Sequence, residues 1–331
     1  MPGHETLPTI DDVLAAAERI SGRAVATPLL EAPALNALVG GRLLVKAEPL
    51  QLTGSFKFRG AYNRISRIPE AERPAGVVAY SSGNHAQGVA AAAHLLGVPA
   101  VIVMPENAPR AKREGTERWG AEIATYDPGD HDSRETIAAE ILRQRGGTLV
   151  RPFDDPWIIA GQGTVGLEIA ERARSLDLEL DAVLVPCGGG GLTAGTATAI
   201  KALSPATEVY TVEPEGFDDT ARSLAAGSRQ RNPDGGASFC DALLAPTPGR
   251  LTFAVNAKLV SAGLSVSDVE VGAAMAAAFA HLKLVVEPGG AVALAAALRG
   301  KYDCRDKTVA VVTSGGNVDA GTYAEALRRA E

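Results

Sequence analysis

Short apolar runs that stop at Gly or Pro recur along this chain, at 42–48, 76–82, 99–105, 121–127, 181–187, 208–213 and 307–314. Runs of that length, bounded in that way, read as strands buried on both faces. Between them lie Ala-rich stretches with helical spacing, at 85–96, 158–173, 192–203 and 269–282. Strand and helix in alternation predict parallel sheets covered by helices, because a crossover between parallel strands is long enough to hold one. The expected fold class is α/β. One stretch departs from the pattern. Between 217 and 250, Gly227, Asn232, Pro233, Gly235, Gly236, Pro246, Pro248 and Gly249 leave little room for regular structure, and such a loop often borders a site.

With 331 residues and 46% hydrophobic content, the chain can bury a substantial core, and its length suggests about two domains. The alternation contains no flexible linker, so the boundary between them is soft. A net charge of −7, with no Lys- or Arg-rich block, argues against a nucleic-acid partner, which needs a basic track for its phosphates. Cys187, Cys240 and Cys304 are too few and too scattered for a disulfide framework and form no C-x-x-C pair, which fits a reducing cytoplasm. The N-terminus is neither basic nor apolar, and no run reaches the ~18 apolar residues of a membrane span. Neither secretion nor membrane insertion is expected.

Four loops carry residues suited to chemistry. In Leu52-Thr53-Gly54-Ser55-Phe56-Lys57-Phe58-Arg59-Gly60 one lysine stands among small and aromatic residues at a helix start. Partial loss of hydration would lower its pKa toward a free amine able to attack a carbonyl, making Lys57 a candidate Schiff-base residue. Alternatively Lys57, Arg59 and Arg64 share one solvated helix face. Ser81-Ser82-Gly83-Asn84-His85 lies between a strand and a helix, where N–H groups favour an anion such as a substrate carboxylate. The plainer alternative is a turn capped by Ser or Asn, with His85 packed. Gly188-Gly189-Gly190-Gly191 follows a strand and bares backbone N–H groups, a phosphate cradle. The same stretch fits G-x-G-x-x-A, with Glu213 placed like a ribose-binding acid, so a nicotinamide-dependent oxidoreductase is a rival reading. Thr313-Ser314-Gly315-Gly316-Asn317 puts the Ser314 hydroxyl at a strand's carboxyl end, to meet a heterocycle nitrogen or cap a helix.

Taken in order, these loops, together with the segment 104–109 and Ile159-Ala160-Gly161-Gln162-Gly163-Thr164, resemble the fold-type II pyridoxal-phosphate enzymes, in particular the serine/threonine dehydratase and serine racemase group. The resemblance runs over 27–319. It implies two open, mostly parallel α/β domains of the tryptophan synthase β-like kind with the cofactor in the cleft. The large cofactor-binding domain would be 1–72 and 151–331, and the small domain, 73–150, would carry the substrate-carboxylate loop. Carried over by position, Lys57 would hold the cofactor as a Schiff base and then, once freed by the substrate amine, remove the Cα proton. Phe56 would back the ring and Asn84 would bond the phenolic oxygen. Gly188, Gly189, Gly190 and Gly191 would hold the phosphate, and Ser314 would face the pyridine nitrogen. Ser81, Ser82, Gly83 and His85 would receive the substrate carboxylate. Ser82 also matches the hydroxyl that racemases of the group place opposite the lysine.

The implied reaction is β-elimination of water from L-threonine or L-serine, giving a 2-oxo acid and ammonia. The alternatives on the same site are threo-3-hydroxyaspartate dehydration and serine racemisation. The former needs a cation for the second carboxylate, and Arg134, near His131 and Ser133, is one candidate. Family members with a divalent cation use positions matching Glu213, the Phe217 carbonyl and Asp219, so magnesium or calcium is expected there, as an alternative to an acidic surface loop. The chain departs from the family at Ser238-Phe239-Cys240-Asp241-Ala242-Leu243, where Ala-Asp-Gly is usual, a change that bears on the substrate side chain. A homodimer is implied by the resemblance alone.

Overall fold

All seven apolar runs form strands, each within a residue or two of the expected span, and three short strands join them. In chain order these are β1 (Leu29–Glu31), β2 (Arg42–Ala47), β3 (Val77–Tyr80), β4 (Ala100–Pro105), β5 (Glu122–Tyr126), β6 (Thr148–Leu149), β7 (Ala182–Pro186), β8 (Glu208–Pro214), β9 (Ala262–Val266) and β10 (Thr308–Thr313). The structure, a computed structural model, describes residues 6–108, 110–127 and 133–329. Residues 1–5, Pro109 at the end of the 104–109 segment, and His131 lie outside the described residues.

The strands make two sheets, ordered β1-β2-β10-β7-β8-β9 and β5-β4-β3-β6. Every pairing is parallel except β1 with β2. Central strands such as β7 and β10 are buried almost throughout, as strands with helices on both faces must be. Among the described residues no helix is long and apolar enough to cross a membrane.

The stretch 217–250 is more regular than its glycines and prolines imply. Asp219–Ala226 is a helix and Asp241–Leu243 a single 3₁₀ turn. Residues 219–226 contain neither Gly nor Pro, and the buried Glu213 carboxylate accepts from the Thr220 and Ala221 N–H groups at 3.0 and 2.8 Å, satisfying donors that a helix start leaves orphaned. The stretch 269–282 also differs from one continuous helix. An α-helix ends at Ala277, and a π-turn follows over Ala278–Leu282.

Two helices fix the position of the reactive lysine. Helix Lys57–Ser66 lies against helix Pro156–Ser175 at glycines: a Cβ on Gly161 would stand 2.6 Å from the Gly60 Cα. The segment 159–164 therefore serves close helix packing. Arg59, on the lysine's helix, is fully buried and paired with Glu48 at 2.8 Å and Glu168 at 2.6 Å; Lys46 pairs with Glu168 as well. Arg64 pairs with Asp155 at 2.9 Å. The solvated-face reading of Lys57, Arg59 and Arg64 is thus wrong, because two of the three cations are tied to acids of other segments.

Candidate active site

The loops after β3, β7 and β10 open into one cavity of about 590 Å³, into which Phe56 and Lys57 also project. Ligands collect outside the carboxyl ends of parallel strands because loop N–H groups and helix starts converge there.

Lys57 is the first residue of its helix, and Phe56 before it provides no side-chain cap. The Lys57 Nζ donates to the Pro152 carbonyl at 2.9 Å and lies 5.1 Å from the centre of the Phe56 ring. Burial lowers the Lys57 amine to about 8, although the Glu287 carboxyl works the other way. A lysine so placed offers a useful fraction of free amine near neutral pH.

Helix Gly191–Leu203 starts at the cavity, with Gly190 at φ +91° before it. That backbone suits glycine, and a Cβ on Gly191 would come within 3.0 Å of Phe153, while one on Gly189 would run into the Phe153 ring. The loop of Gly188, Gly189, Gly190 and Gly191 thus bares N–H groups at a helix N-terminus where a phosphate fits. Ser314 is buried at the end of β10, and its hydroxyl has no hydrogen-bond partner among the described residues. The next helix starts only at Ala320, so Ser314 caps nothing, and its free hydroxyl fits a ring nitrogen.

In the loop after β3, the Gly83 N–H donates to Ser81 Oγ at 3.2 Å. The helix begins at Asn84, and its N-cap, Gly83, provides no side chain, so the Ser or Asn cap considered from the sequence is absent. His85 is buried, with Nε2 2.9 Å from the Val150 carbonyl. Burial and the neighbouring Lys57 lower its imidazole to about 3. It is a neutral ring that gives its Nε2 proton to Val150, so His85 walls the carboxylate loop as a packed residue.

Four residues of the cavity were not found by sequence reasoning. Glu287 is buried, and its Oε1 accepts from Asn84 Nδ2 at 2.5 Å; the signal lay in Glu287-Pro288, an acid directly before a helix-starting proline. Arg151 and Arg229 line the same cavity, as does Lys112, which is ion-paired with Asp241. That pair joins helix Arg110–Glu117 to the turn Asp241–Leu243 and places the departing 238–243 segment at the cavity. Arg134 also lies on the wall, its guanidinium 5.7 Å from the Tyr80 ring centre.

Glu213, Phe217 and Asp219 stand apart from this cavity. Glu213 spends both carboxylate oxygens on helix N–H groups, so it is not free to face a ribose, and the G-x-G-x-x-A reading fails on geometry. Among the described residues no three His, Cys, Asp or Glu side chains gather as a metal-binding group.

A family model described as "Pyridoxal-phosphate dependent enzyme" matches residues 20–315. The chain belongs to this family of pyridoxal-phosphate-dependent enzymes. It is 44% identical to the L-threo-3-hydroxyaspartate ammonia-lyase of Pseudomonas sp, over 97% of this chain and 99% of that one. It is 40% identical to the serine racemase of Schizosaccharomyces pombe, over 99% of each. The solved structure of a threonine deaminase from T.th. superposes with a TM-score of 0.89 at 45% identity, covering 94% of this chain and 99% of that one. The protein is thus a fold-type II pyridoxal-phosphate enzyme of the ammonia-lyase and racemase group.

Proposed function

We propose that the protein eliminates the β-hydroxyl of a 3-hydroxy amino acid, releasing a 2-oxo acid and ammonia, with Lys57 as cofactor-bearing residue and Cα base. The observation that carries this is the half-buried Lys57, its amine lowered to about 8, facing the glycine cradle and the loop after β3 across one cavity. A base is most effective when its pKa lies near the working pH. Pyridoxal phosphate, when bound, supplies the sink for the electron pair left at Cα. Around it Gly188, Gly189, Gly190 and Gly191 hold the phosphate, Ser314 meets the ring nitrogen, Asn84 the phenolic oxygen, and Phe56 backs the ring. Ser81, Ser82 and Gly83 orient the substrate carboxylate, with His85 behind them. In this reading 1–72 and 151–331 form the cofactor domain, 73–150 the substrate domain, and the enzyme is a cytoplasmic homodimer.

The cations on the cavity wall favour threo-3-hydroxyaspartate over L-serine and L-threonine. Arg134 and Arg151 have no ion-pair partner among the described residues. Of the acids on the same wall, Asp241 is paired with Lys112, Asp154 accepts from the Arg250 and Leu251 N–H groups, and Glu287 bonds Asn84 and is pushed up to about 8 by burial, so it is mostly uncharged at neutral pH. That leaves Glu135 against two arginines. A charge-assisted hydrogen bond to a second carboxylate is worth about 1.5–3 kcal/mol, roughly ten- to a hundredfold. Release of 2-oxo acid from the three substrates should show that preference in kcat/KM, and Arg134→Ala should reduce it. Faster turnover of L-serine or L-threonine would return the assignment to a serine/threonine dehydratase. Ser82, if it delivers a proton to the face opposite Lys57, supports racemisation, and Ser82→Ala should slow racemisation more than elimination. Equal slowing of both would remove that role.

A divalent cation, magnesium or calcium, fits at Glu213, the Phe217 carbonyl and Asp219, because each Glu213 oxygen keeps a second lone pair beside its single helix N–H bond and the buried Asp219 Oδ2 has no hydrogen-bond partner. Burial pushes the Glu213 carboxyl up to about 8 and Asp219 up to about 6, and Asp219 adds to the effect on Glu213. A carboxyl raised in the folded state stabilises the fold at low pH and loses that contribution as pH rises through the folded value. In chelator the thermal midpoint should therefore fall as pH rises from about 4, where both carboxyls ionise in the unfolded chain, to about 8, most steeply below about 6 where both groups contribute, and magnesium or calcium should suppress the fall. Superimposable profiles with and without the ion would rule the site out.

A further inference from the structure

Glu287 has no task in the reading above, yet it is only 3% exposed and borders the cavity. It stands at the N-cap of helix Pro288–Leu298 and makes no side-chain cap bond to it. Its Oε1 instead accepts from Asn84 Nδ2 at 2.5 Å. Asn84 Oδ1 accepts from Asn317 Nδ2 at 2.7 Å, and that same Nδ2 donates to the Thr53 carbonyl at 2.8 Å. The chain of bonds fixes orientations from one end to the other. A backbone carbonyl only accepts, so Asn317 must turn its NH₂ to Thr53, and Asn84 must then turn its oxygen to Asn317. One Asn84 N–H is taken by Glu287, which leaves the second as a donor.

We propose that Glu287 is a positioning residue that, with Asn317, locks the Asn84 amide so that its remaining N–H is offered to the phenolic oxygen of pyridoxal phosphate. The proposal rests on the reading that Asn84 meets that oxygen. A flipped Asn84 would set its NH₂ against that of Asn317, a mismatch whatever the pH, and its carbonyl against Glu287, a second mismatch once that carboxyl is ionised.

The same carboxyl is placed to make cofactor binding depend on pH. Burial pushes Glu287 up to about 8, Asn84 opposes this, Asp241 adds to it, and Lys112 and Lys57 oppose it. The Cys240 thiol also faces it, itself raised to about 12, chiefly by burial. As Glu287 ionises it becomes a stronger acceptor for Asn84.

The test titrates pyridoxal phosphate into apoprotein by fluorescence and follows the visible absorption of the bound cofactor against pH. Glu287→Gln keeps an acceptor for Asn84 without the charge. It should retain near-normal affinity and lose the part of the spectral transition near pH 8 that Glu287 contributes. Glu287→Leu frees the amide and should weaken cofactor binding about tenfold or more. Asn84→Ala separates the two layers of the argument. If it weakens binding while Glu287→Leu leaves affinity unchanged and Glu287→Gln leaves the transition unchanged, the positioning role is overturned. If Asn84→Ala itself changes nothing, the reading of Asn84 falls and takes the role of Glu287 with it. Should Glu287→Leu fail to fold, the near-isosteric Glu287→Gln carries the test through the spectral transition.

Discussion

Replacing Lys57 by alanine is expected to reduce turnover by at least about 10³-fold and to leave pyridoxal phosphate bound without a covalent link. The size follows from two tasks resting on one amine. It attaches the cofactor, and once released it is the base beside Cα. Among the described residues no second amine stands ready to replace it, because Lys112, on the same cavity wall, is committed to Asp241. Borohydride reduction followed by peptide mass analysis should mark Lys57 in the wild type and nothing in Lys57→Ala. A reducible attachment elsewhere, with turnover retained, would remove Lys57 from the mechanism. The pH dependence of cofactor capture is a second measure of the same group. Only the unprotonated amine attacks, so the capture rate of wild-type apoprotein should rise with pH and level off above about 8.

What could be read from the sequence was what lies in one contiguous stretch. Four glycines before a helix reveal a cradle whatever the rest of the chain does, and Lys57 between Phe56 and Phe58 reveals an amine in apolar company. Apolar runs found the strands, and strands such as β2, β4, β7 and β10 are buried because both faces are covered; β5, read from its run as buried, lies at its sheet's edge and is half-exposed, which corrects that expectation. Partnerships across the chain were out of reach. Arg59 is separated by 109 residues from Glu168, and Asn84 by 203 from Glu287, so no local pattern could show that the arginine is buried or that the asparagine has its orientation imposed. Helix Asp219–Ala226 was hidden for a related reason: its start is satisfied by Glu213 from the preceding strand, while the glycines and prolines that follow dominated the local composition. His85 was read with the carboxylate loop by position, and its neutrality follows from a carbonyl 65 residues away.

Arg59→Met is expected to cost about 3–5 kcal/mol, the range for removing one partner of a buried ion pair. Arg59 donates to Glu48 through Nε and Nη2, both at 2.8 Å, and to Glu168 through Nη1 at 2.6 Å. Neither Arg59 nor Glu48 has any side-chain exposure. Glu48 makes the variant costly: it would remain fully enclosed, with Lys46 the nearby cation left to oppose burial. At about 2–4 °C per kcal/mol for large domains, the thermal midpoint should fall by roughly 10 °C. The pH dependence separates this cause from simple loss of packing. In the wild type, burial alone would raise the Glu48 carboxyl, but Arg59, Lys46 and Thr27 together hold it below its ordinary value. A depressed carboxylate stabilises the fold above its unfolded value and loses that contribution as pH falls through the folded one. Without Arg59 burial prevails and the sign reverses, so the variant's deficit should be largest at neutral pH and shrink on acidification. Adding Glu48→Gln should recover part of the loss by removing the stranded charge. A deficit independent of pH, with no recovery in the double variant, would mean that packing rather than charge is what Arg59 provides. Because Arg59 sits two residues after Lys57 in the first turn of the same helix, the single variant should also bind pyridoxal phosphate more weakly, an effect passed to the lysine through the backbone of that turn.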